Sequence, residues 1–124
     1  MEQLNYKSKS MVLKKAFNFA VSIVKLNETL NEAKQFVLAK QLVRSGTSIG
    51  ANINEALAGY SKRDFIFKMS LALKESNETE YRLMLLKESK VINVDFDLFL
   101  VEAIELQRML TAILNTTKKR LQAA

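Results

Sequence analysis

The sequence predicts an all-α fold, an antiparallel up-down-up-down four-helix bundle, and three observations carry that expectation. The 124 residues contain no proline and only three glycines. Leu, Lys, Glu, Ala and Met, all good helix formers, are abundant. Four long segments repeat apolar residues at spacings of three and four, the period of one buried helix face, with short polar links between them. With 48% hydrophobic residues the chain can build one contiguous core and has no room for a second. Residues 1–124 are therefore expected to form a single domain, with helices at about 9–29, 32–58, 62–88 and 95–118.

The first helix is expected to be capped by Ser8 or Ser10 and to bury Val12, Ala16, Phe19, Ala20, Ile23, Leu26 and Leu30. A second apolar row, Leu13, Phe17, Val21 and Val24, widens the greasy arc beyond what a monomeric bundle needs. After a polar connection at Asn27 to Asn31, the second helix places Ala39, Leu42, Val43, Gly46, Ile49, Gly50, Ile53 and Leu57 on one face. Two glycines in mid-helix each cost about 1 kcal/mol relative to alanine, so they call for a packing reason. Gly46 and Gly50 have the small-x-x-x-small spacing of a close helix crossing. The polar row on the opposite face, Arg44, Ser48, Asn52 and Glu55, fits either a subunit contact or a free surface.

Gly59 reads as a left-handed helix terminus and Ser61 as the next cap, with Asp64 three residues on. The third helix should bury Phe65, Met69, Ala72, Leu73, Leu83 and Leu86, with Ser76 and Glu80 on the same stripe. Asp95 is placed to cap the fourth helix, whose main stripe is Phe96, Phe99, Leu100, Ala103, Leu110 and Leu114. Leu98, Leu106, Met109 and Ile113 widen that arc too, and Lys118, Lys119 and Arg120 suit the negative end of the helix dipole.

The residue types exclude most catalytic chemistry. There is no histidine, which removes the commonest general base, the Ser-His-Asp arrangement and the usual di-iron bundle site. There is no cysteine, so disulfides and thiolate metal sites are excluded. No Lys-Ser/Thr pair follows Gly46 or Gly50, so a phosphate-binding P-loop fails on residue identity. Glu75, Glu78 and Glu80 form the densest acidic group, but they alternate with Lys74 and Arg82 as a solvated or salt-bridged face does; Glu80 alone lies near the buried stripe. Neither catalytic residues nor a metal or other cofactor is expected. No stretch is apolar enough to span a membrane and Met1 to Ser10 lacks the core of a signal peptide, so a cytoplasmic location is expected.

The charge balance, 19 basic against 13 acidic residues and net +6, fits either attraction to polyanions or a plain solubility device. The basic residues are spread over every helix. Candidates for phosphate contact are Lys14, Lys15, Lys25, Lys40, Arg44, Lys62, Arg63, Lys118, Lys119 and Arg120, a set that could be pooled by oligomerisation. No base-reading motif is visible.

Gln41 to Ala56 (QLVRSGTSIGANINEA), Ser61 to Phe65 (SKRDF) and Ala72 to Tyr81 (ALKESNETEY) resemble the four-helix bundle family of proteins encoded in intervening sequences of bacterial large-subunit ribosomal RNA genes. That family is similar to the accessory variability protein of diversity-generating retroelements. The resemblance implies a barrel-like homopentamer with a positively charged surface, which in the retroelement relatives binds nucleic acid and partners a reverse transcriptase. The positions that match the family signature are Arg44, Ser48, Asn52, Glu55, Asp64, Ser76 and Glu78. The expected function is that of a non-enzymatic homo-oligomer binding RNA or DNA nonspecifically. The alternative is a protein-interaction scaffold or accessory subunit, presenting Arg44, Asn52 and Glu55 to another protein and binding no nucleic acid itself.

Overall fold

The computed structural model describes residues 10–123, which form four α-helices: α1 Met11–Glu32, α2 Phe36–Leu57, α3 Lys62–Ser89 and α4 Asp97–Ala123. The expected α1 start at residue 9 and the Ser8 cap lie outside the described residues. Ser10 does cap α1: its Oγ accepts the Leu13 N–H at 3.2 Å. The helix runs three residues past the expected end at 29 because Leu30 completes the buried stripe, fully shielded from solvent. It then stops in a paired left-handed terminus. Lys34 adopts φ 60, its N–H donates to the Asn31 carbonyl, and the Gln35 N–H donates to that of Leu30, both at 2.9 Å. Helix α2 therefore begins at Phe36, four residues later than expected, with no side-chain cap.

Ser61 caps α3 by accepting the Asp64 N–H at 3.0 Å. Gly59 is not a left-handed terminus; its φ is not positive. A Cβ there would displace the Asp64 carboxylate and come within 3.1 Å of the Ala56 carbonyl oxygen, so the link is tight without a left-handed torsion. The residue that ends α3 in the left-handed region is Lys90, with φ 56. Asp95 accepts the Asp97 N–H at 3.0 Å, but α4 begins at Asp97 because Phe96, which precedes it, turns into the core.

Neighbouring helices are antiparallel throughout. Residues that meet across α1 and α2 are Ile23 with Gly46 and Ala16 with Gly50. Across α2 and α3 they are Arg44 with Glu78 and Glu55 with Lys68. Across α3 and α4 they are Glu80 with Gln107 and Lys87 with Asp97. The core stacks Phe19, Ile23, Leu42, Ile49, Ile53, Met69, Leu83, Leu106 and Leu110, each at most 2% exposed and each contributing roughly 1.5–3 kcal/mol by leaving water. The close crossing expected of the glycines is present at Gly46, where a Cβ would lie 2.9 Å from Ile23 Cγ2. At Gly50 there is ordinary room, 3.6 Å to Ala16.

Of the second apolar row of α1, Leu13 packs against the core, whereas Phe17, Val21 and Val24 are exposed. On α4 the extra row behaves differently. Leu106 is buried, Met109 and Ile113 pack against the core, and Leu98 alone of the four is exposed. Most of the α4 excess is thus absorbed within the subunit, while α1 and α4 approach each other less closely than the other neighbouring pairs.

Candidate nucleic-acid interface

The antiparallel register decides where the ten candidate cations fall. One half of the bundle comprises residues 10–21, 47–75 and 105–123; it holds ten lysines and arginines but, as acids, only Glu55, Asp64, Glu75 and the Glu105 that pairs with Lys15. The other half, residues 22–46 and 76–104, holds seven basic and eight acidic residues. The charge that looks evenly spread along the sequence is thus collected at one end, +6 against −1 for the described residues. Potential summed over such a surface attracts polyanions at a distance of about one Debye length, roughly 8 Å at physiological salt.

Lys62 and Arg63, in the first turn of α3, are exposed at the basic end, as are Lys118, Lys119 and Arg120 in the last turns of α4. Lys14 is exposed on the same half, whereas Lys25 and Lys40 are exposed on the other. Two candidates are engaged within the chain. Lys15 is paired with Glu105 across a groove of about 220 Å³ between α1 and α4, over the buried faces of Phe19 and Leu106. Arg44 bridges to α3, donating to Glu75 Oε1 at 3.5 Å and Glu78 Oε2 at 3.1 Å, and Arg82 lies 4.0 Å from the same Glu78 oxygen.

The signature residues are mostly structural. Ser48 Oγ donates to the Arg44 carbonyl at 2.5 Å and Asn52 Nδ2 to that of Ser48 at 2.9 Å, so both side chains are folded back on their own helix. Glu55 accepts from Lys68 Nζ at 2.9 Å, and that hydrogen bond and charge raise the Lys68 pKa above the ordinary 10.5. Lys87 is raised in the same way by Asp97. Asp64 packs over Gly59, and Ser76 is buried with its hydroxyl donating to the Leu73 carbonyl at 2.7 Å. Glu78 is the hinge of the Arg44–Arg82 cluster. Glu75 and Glu78 thus form a salt-bridged face, and Glu80, half-buried, accepts from Gln107 Nε2 at 3.0 Å. Among the described residues no group of three or more acidic side chains could hold a metal ion.

Two polar features escape sequence reasoning. Ser45 and Thr79 are fully buried, with the Thr79 hydroxyl 3.0 Å from Ser45 Oγ and 2.8 Å from the Glu75 carbonyl. Gln107 also reaches the Ser76 carbonyl at 3.4 Å, so a polar layer runs through α2, α3 and α4. The signal was available. Ser45 lies three residues after Leu42 and four before Ile49, and Thr79 four before Leu83, all on core stripes.

The resemblance carried by the α2 and α3 segments is decided by comparison with known proteins. The family described as 23S rRNA-intervening sequence protein matches residues 8–112. The chain belongs to that family. A solved structure supports the same placement: a protein of unknown function from the S23 ribosomal protein family of Bacteroides thetaiotaomicron is 46% identical, with a TM-score of 0.81 over 84% of this chain and 98% of that one. Comparison with curated proteins gives no match. The family is one of ribosomal RNA intervening-sequence proteins, and the function of the structural neighbour is unknown. None of the described helices is long and apolar enough to cross a membrane.

Proposed function

We propose that the protein is a non-enzymatic homo-oligomer, a pentamer of bundles, that binds RNA or DNA without base specificity through basic residues pooled from several subunits. The observation that carries this reading is the partition of charge, ten basic residues against four acidic ones in one half of the bundle. Oligomerisation is supported by the exposed row Phe17, Val21 and Val24, at 65%, 39% and 47% exposure, which is apolar surface that a second copy would shield. The pentameric number rests on the family resemblance. The lack of cysteine fits a reducing cytoplasm.

A scaffold presenting Arg44, Asn52 and Glu55 to another protein is less well supported, because Arg44 and Glu55 are committed to α3 and Asn52 to its own backbone. Titration of labelled RNA at about 50 and about 200 mM salt separates the readings. Pooling of about five phosphate contacts predicts a loss of affinity on the order of 100-fold between the two. Absence of binding at the lower salt would leave the accessory-subunit reading in place of this one.

A further inference from the structure

We propose that the basic end of the bundle is a binding site for single-stranded nucleic acid, with Tyr60 and Phe67 as stacking platforms beside Lys62, Arg63 and the Lys118–Arg120 run. The site depends on the nucleic-acid reading above and adds to it the place and the strandedness of the ligand. Tyr60 is the most exposed large hydrophobic residue among the described residues, at 103% relative exposure, in the link between α2 and α3. It stands two residues before Lys62. Phe67, 58% exposed, follows Arg63 by four residues and so shares its side of α3. Across the antiparallel α3–α4 register, in which Lys87 meets Asp97 and Glu80 meets Gln107, residues 118–120 fall opposite residues 64–69, in the first two turns of α3. Two exposed rings and five exposed cations therefore share one end. Asp64, the acid among them, is turned against Gly59.

Each part of this group has a chemical counterpart in an unpaired strand. Lysine and arginine neutralise phosphates and release their counterions. An aromatic ring stacks on a base of any identity, since every base has a π-face. In a duplex the bases are stacked on one another and their faces are closed to the protein. Exposed cations alone bind both forms; exposed rings among the cations favour the single strand.

The test is fluorescence anisotropy of the full chain with a labelled oligouridine of about 16 nucleotides and with an RNA duplex of about the same length at about 50 mM salt. Tyr60→Ala should weaken oligouridine binding about fivefold or more, leave duplex binding within about twofold, and be rescued by Tyr60→Phe. The double reversal Lys62→Glu/Arg63→Glu should weaken both ligands about tenfold or more, while Lys25→Glu/Lys40→Glu in the opposite half changes them little. Failure of the unsubstituted protein to bind either RNA removes the nucleic-acid reading and the site with it. If it binds but Tyr60→Ala, or the reversal at Lys62 and Arg63, is without effect, the reading stands and the site is overturned. A Tyr60→Ala loss that is equal for strand and duplex overturns the stacking role.

Discussion

Replacing the two α2 glycines by alanine should move stability in opposite directions. In mid-helix, alanine in place of glycine gains about 0.5–1 kcal/mol from the reduced entropy of the unfolded chain and better shielding of the backbone. At Gly50 that gain is realised, because the added Cβ would sit 3.6 Å from the Ala16 backbone and side chain, in ordinary contact. At Gly46 the Cβ would lie 2.9, 3.1 and 3.3 Å from Ile23 Cγ2, Cγ1 and Cβ. Ile23 is β-branched and wholly buried, so no rotamer change withdraws all three atoms and the helices must separate instead. Overpacking of this kind costs about 1–3 kcal/mol, which outweighs the propensity gain and leaves Gly46→Ala about 1 kcal/mol destabilised. At about 4 °C per kcal/mol for a domain of this size, thermal melts should place Gly50→Ala about 3 °C above the unsubstituted protein and Gly46→Ala about 4 °C below it. In an Ile23→Ala background the Gly46→Ala change should become stabilising. Equal gains at the two glycines would refute the reasoning, since the close crossing would then be absent.

Other consequences follow from the loops and the surface pairs. Lys34 and Lys90 hold left-handed conformations without being glycine; Lys34→Gly and Lys90→Gly should each stabilise by about 0.5–1 kcal/mol in urea unfolding, and a loss of that size at either would contradict the terminus assigned to it. The pKa values of Lys68 and Lys87 are raised by Glu55 and Asp97 respectively. A raised folded-state value means that the contribution is complete below the ordinary lysine value of 10.5 and is lost as pH climbs through the folded-state value. The small difference in melting temperature between the unsubstituted protein and Lys87→Met should thus be constant from about pH 6 to about pH 9 and shrink above about pH 11, and a difference that grew instead would reverse the assignment.

The helices were legible because their periodicity is dense and unbroken; the errors lie where a single backbone torsion decides. Lysine carries no sequence signal for the left-handed region, so the α1 terminus at Lys34 is not legible and the helix runs past its expected end, while Gly59, which does carry that signal, has no positive φ and lies against the Asp64 carboxylate instead. The Gly46 crossing was legible from spacing, and the salt-bridged character of Glu75 and Glu78 from their interleaving with cations. The basic end was not. Lys62 and Lys118 are far apart in sequence, and only the antiparallel register brings their ends of the bundle together. Likewise the row Arg44, Ser48, Asn52 and Glu55 has the spacing of an outward surface, and it took the lengths of Arg44, Glu55 and Lys68 to tie its ends to α3.

The claim on which the functional reading turns is that the basic surface works when subunits are pooled, and Phe17→Glu tests it. Phe17 is 65% exposed, so a carboxylate there leaves the core intact while charging the face assigned to a second copy. Light scattering should give about five times the 14.1 kDa subunit mass for the unsubstituted protein and a single subunit mass for the variant. With labelled RNA titrated at equal subunit concentration, the variant should bind about 100-fold more weakly, as expected when linked sites act together. A monomeric variant that binds RNA as tightly as the unsubstituted protein would contradict the claim.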